Sequence, residues 1–81
     1  MAFWVYVLKS DGDGSHYTGS AQNVQIRLSE HNRGKNRYTK SRRPWQLIYT
    51  EYAKNRSEAV KRERFLKSGI GRKELNKLLP R

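Results

Sequence analysis

The chain has 81 residues, room for one small domain and not two, and its lack of cysteine excludes a disulfide framework and a thiolate metal centre. Its net charge is +11 and unevenly placed: Lys9, Arg27 and Arg33 balance Asp11, Asp13 and Glu30 in residues 1–33, so the other 15 of 18 bases face only four of seven acids in 34–81. Such clustering points to a polyanion, nucleic acid ahead of a membrane surface.

"FWVYVLKS", rich in β-branched and aromatic residues, reads as a strand, and "DGDG" at 11–14 as a tight turn. "SHYTGS" returns as a second, antiparallel strand ending at Gly19. A helix is predicted from Asn23 to Arg33, stopped by Gly34, followed by a basic loop, "KNRYTKSRRP". "WQLIYTEY" reads as a third strand. "NRSEAVKRERFLKSG" reads as a second helix, capped by Asn55 or Ser57 and stopped by Gly69, and "GRKELNKLLPR" as a last short one. The expectation is a single α/β (α+β) domain over 1–81, with an antiparallel or mixed three-stranded sheet flanked by helices in the order β-β-α-β-α-α. The start "MAFWVYVLKS" lacks the features of a signal peptide, and no stretch is apolar for long enough to span a bilayer. A cytoplasmic protein with no membrane partner is expected.

Two helices carry the same anomaly. Val24, Arg27, Leu28 and His31 stand at i, i+3, i+4 and i+7, the spacing of a core-facing stripe, yet two of the four are polar. On the second helix Glu63 falls only about 40° from Ala59 and about 60° from Leu66, inside the apolar stripe. Inward charges are costly unless they are paired or line a cleft. One reading is a half-buried Arg27–Glu63 ion pair that docks the helices. The other is a cleft in which arginine, histidine and carboxylate converge on Tyr6 and Tyr17, whose rings project from one sheet face. The cleft requires Arg27 and Glu63 to face the same side of the sheet.

The ordered set "VYV" at 5–7, "YTG" at 17–19, "RLSEHN" at 27–32, then "YT", "RRP" and "EAVKRERFLKS", resembles the GIY-YIG nuclease family over nearly the whole chain. It is closest to the small stand-alone bacterial members. Val5, Val7 and Thr18 depart from the motif's name, while Tyr6, Tyr17, Gly19, Arg27 and Glu63 are present. The resemblance implies a metal-dependent endonuclease acting on DNA phosphodiesters, in repair or recombination, with one Mg2+ or Mn2+ on Glu63. Hard carboxylate oxygen plus several waters is a normal magnesium site. Arg27 would hold the phosphate through its planar fork. Tyr17 is the family-implied base or relay for the attacking water, and Tyr6 orients that water. His31 is a second proton acceptor by its ordinary pKa. Between Tyr17 and His31 the sequence does not choose.

Gly19 lets the backbone come close to the phosphate, or simply ends a strand. Lys35, Arg37, Lys40, Arg42 and Arg43 form the expected DNA-binding rim, with Tyr38 packed beneath the loop. No base-reading code is visible, so branched, damaged or non-specific DNA is the expected partner, with targeting by shape or by a protein partner. The alternative function is a non-catalytic nucleic-acid-binding module on the same fold.

Overall fold

The computed structural model describes residues 2–79. The elements are β1 (Phe3–Ser10), β2 (His16–Ala21), α1 (Val24–Asn32), α2 (Arg37–Lys40), β3 (Trp45–Ala53), α3 (Arg56–Lys67) and α4 (Gly69–Leu78). The three strands make one antiparallel sheet in the order β2-β1-β3. The expected α+β architecture and element order hold, with one short helix added inside the basic loop. Pro80 and Arg81, the end of the expected last helix, lie outside the described residues.

Polar side chains mark most boundaries. Asn23, Asn36 and Asn55 each cap the helix that follows by accepting backbone N–H groups. Gly34, at φ +84°, ends α1 as expected. Ser68 rather than Gly69 separates the last two helices: it ends α3, and its Oγ accepts the Gly71 N–H to open α4. Strand β2 runs on to Ala21, so Gly19 lies inside the strand and not at its end.

β1 is the central strand, and its alternate residues serve opposite faces. Val5 and Val7 pack with Ala59 and Leu66 of α3 and Leu75 of α4. Tyr6 and Leu8 pack with Val24 and Leu28 of α1 and with Trp45. Thus α1 and α3 lie on opposite sides of the sheet, which corrects the expectation of a cleft between facing helices. The wheel placed Arg27 and Glu63 on inward faces, but a wheel does not say which side of a sheet a helix covers. The Arg27–Glu63 ion pair is likewise absent among the described residues. Arg27 pairs with Glu30 at 3.7 Å, and Glu63 with Lys67 at 2.7 Å.

Candidate active site at the edge of the sheet

β2 is an edge strand, and the polar groups of both faces meet around it. Tyr6 stands opposite Gly19 in the β1–β2 register. Its ring crosses β2 where the glycine leaves space: a Cβ on Gly19 would lie 2.6 Å from the Tyr6 oxygen. The Tyr6 hydroxyl there feels the charges of Arg27 on α1 and Glu63 on α3.

A buried chain of hydrogen bonds starts at that oxygen. Tyr6 Oη lies 3.0 Å from His31 Nε2, and His31 Nδ1 lies 2.8 Å from Thr39 Oγ1. The Thr39 hydroxyl reaches the Asn36 carbonyl at 3.4 Å. Burial and the nearby Tyr17 hold the Tyr6 phenol well above the usual tyrosine range, so it keeps its proton. The network is then satisfied in one direction: Tyr6 O–H donates to Nε2, and Nδ1–H donates to Thr39. His31 is 2% exposed and Thr39 fully enclosed, which explains the histidine in the helical stripe. It is a core residue with both nitrogens matched.

The other members surround this chain. Tyr17 lies against His31, ring centroids 4.8 Å apart, with Lys67 Nζ 5.5 Å from its centroid. Arg27 has a half-exposed side chain, paired with Glu30 on the same helix. Glu63 comes from the α3 face, where its Oε1 accepts from Ser20 Oγ at 2.7 Å and its Oε2 from Lys67. No group of three metal-binding side chains occurs among the described residues. A lone carboxylate does not suit zinc, and it fits a hard divalent ion that keeps most of its water. Gly19 serves to admit the Tyr6 ring, and its φ is not in the left-handed region.

Sequence reasoning missed Ser20, Lys67 and the role of Thr39. Lys67 was legible as the i+4 partner of Glu63. Thr39 was hidden because α2 is a single turn without periodicity. Of the expected basic rim, Arg42 lies 4.3 Å from the Tyr38 centroid and pairs with Asp13, and Arg43 Nε donates to the Lys40 carbonyl. Lys35, Arg37 and Lys40 form no ion pair among the described residues and are exposed.

Burial first, and then the Arg27 charge, lower the His31 pKa below its ordinary 6.5. In the unfolded chain the histidine takes its proton first, so acidification favours unfolding. Stability is expected to fall as the pH drops below about 6.5, and to keep falling until the folded histidine itself titrates. Urea unfolding between pH 7 and 5 should show a smaller loss for His31→Gln than for the native chain. Equal slopes would contradict a buried neutral imidazole.

The model of the GIY-YIG catalytic domain matches residues 2–76. The UPF0213 proteins of Staphylococcus aureus strains Mu3 and Mu50 are each 47% identical to the chain over 73 residues, covering 89% of it and 88% of the relative. A solution NMR structure of a UPF0213 protein from Bacillus halodurans is 34% identical, with a TM-score of 0.57 over 96% of this chain and 85% of that one. Matched over nearly its whole length by that family model, the chain belongs to the GIY-YIG catalytic domain family.

Proposed function

We propose that the chain is a divalent-metal-dependent endonuclease that hydrolyses DNA phosphodiester bonds with little sequence selection. The observation that supports this reading is the Tyr6–His31–Thr39 chain, whose Tyr6 oxygen lies beside Gly19 on the edge strand β2. A water resting on that oxygen gives it a proton as Tyr6 passes its own to His31 Nε2. The water becomes the nucleophile and His31 the imidazolium, still anchored by Nδ1–H to Thr39. Burial disfavours a standing phenolate, so the two proton transfers are coupled. On this reading His31 is the terminal acceptor. Tyr17 packs on it and shields it from solvent.

Arg27 grips the phosphate as its charge grows. Glu63 would hold a magnesium or manganese ion, which would supply neutralisation of the growing negative charge. Lys67, now 2.7 Å from the carboxylate, would have to give up that contact. Lys35, Arg37 and Lys40 contact flanking phosphates, while Arg42 and Arg43 hold the loop in shape.

The second reading, a non-catalytic nucleic-acid-binding module, draws on the engagement of both Glu63 oxygens by Ser20 and Lys67. One assay separates the two. Plasmid and branched DNA are incubated with magnesium, with manganese and with a chelator. Metal-dependent nicking is expected, lowered by about 10²–10³-fold in Arg27→Ala and abolished in Glu63→Ala. Both variants should remain folded. Nicking in the chelator, or unchanged in both variants, contradicts the mechanism. Salt-sensitive binding without any cleavage supports the second reading.

A further inference from the structure

One groove borders this site and extends beyond the residues given a part in the chemistry just described. It runs along the outer side of β2, between Tyr38 of α2 and the α3–α4 pair, with a volume of about 550 Å³. Leu66 and Leu75 form its floor, and Lys67, Arg72 and Asn76 its rim on the helical side. Arg72 and Asn76 are one turn apart on α4 and so point the same way. No acidic residue lines the groove. Tyr38 does not pack beneath the loop as expected: it is 47% exposed at the groove's mouth, with its ring centroid 6.0 Å from that of Tyr17. Tyr17 and Lys67 belong both to the groove and to the edge site, so the two are continuous.

We propose that this groove binds an unpaired nucleotide adjoining the bond to be cut, its base against Tyr38 and its phosphate on Arg72. The position relative to the cut rests on the nuclease reading above. The binding chemistry does not. A volume near 550 Å³ is that of a site for one small ligand. The wall offers what a nucleotide needs: an aromatic face, an aliphatic floor, a guanidinium for phosphate, and an amide for a base edge. A base inside a duplex is stacked on both faces and has none to offer Tyr38, so the groove selects strands that are single, frayed or flapped. Asn76, with one donor and one acceptor end, is the group able to prefer one base over another.

The test is NMR titration of the full chain in a chelator, so that binding is read without cleavage. Three probes are used: a mixed-sequence octanucleotide unable to pair, the same sequence closed into a blunt hairpin, and inorganic phosphate. The octanucleotide is expected to move the Asn76 side-chain amide and Arg72 Nε–H signals. Tyr38→Ala and Asn76→Ala should each weaken it by about fivefold or more, and the hairpin by less than about twofold. The proposal is overturned if those signals stay still at saturation, if both variants weaken the two probes equally, or if phosphate reproduces the whole response. Cleavage is scored separately. Groove binding with no cutting under any metal removes the nuclease reading and leaves the groove. Metal-dependent nicking with silent groove signals does the reverse.

Discussion

Gly19→Ala is expected to cut the nicking rate by about 10²-fold or more and to lower stability by about 2–4 kcal/mol. The new methyl would sit 2.6 Å from the Tyr6 oxygen and 2.7 Å from Cζ. Tyr6 is only 2% exposed and has two rotatable bonds, so its ring cannot step aside within its packing. The clash is relieved only by displacing β2 or the ring, and either disturbs the 3.0 Å bond that satisfies a buried imidazole nitrogen. The urea midpoint and the nicking rate report the two effects independently. Tyr6→Phe gives a sharper check. It breaks the same proton path, so adding Gly19→Ala to it should cost little further rate. Full additivity in rate would mean that Gly19 acts through something other than Tyr6.

Gly71→Ala tests the other face. Helix propensity alone says that alanine should stabilise α4 by about 1 kcal/mol. The structure gives the opposite sign. A Cβ on Gly71 would lie 1.7 Å from the Phe65 carbonyl oxygen and 2.8 Å from the Leu66 Cα, both backbone atoms of α3. Neither can move without parting α4 from α3, and with it Leu75 from Leu66 and Val5. A loss of about 3 kcal/mol or more is expected, a fall in Tm of roughly 12–24 °C for a domain of this size. A thermal melt decides it: any rise in Tm would show the corner to be looser than described. The nicking rate below the transition should fall less than in Gly19→Ala, because Tyr6, His31 and Thr39 lie across the sheet.

The legible parts of this chain were those with local signals. Strands β1 and β3 announced themselves by composition, and α1 by its asparagine cap and terminal glycine. The polar members of the α1 stripe were legible as an anomaly. What resolved it was not local: the acceptor for the His31 Nδ1–H is Thr39, eight residues on, in a four-residue helix that no periodicity reveals. The pairing of Arg27 with Glu63 failed for a different reason. A helical wheel fixes which residues face inward but not toward which side of the sheet. That side is set by the chain path through β3, and it put α3 opposite α1. The close approach at Gly19 has a different cause from the one its sequence suggests. The glycine makes room for a ring, not for a phosphate.

β1 is read twice. Its odd positions, Val5 and Val7, belong to the layer under α3 and α4, and its even position Tyr6 belongs to the layer that holds His31. The central contacts of the aliphatic layer and the Tyr6–His31 hydrogen bond thus depend on alternate letters of eight residues. Substitutions that tighten the aliphatic layer can be sought among Val5, Val7, Ala59 and Leu75 without touching Tyr6. The usual conflict between robustness and activity is here relieved by the period of a strand. A slip of one residue in β1 has no such latitude, because it would exchange the two vocabularies and lose both at once.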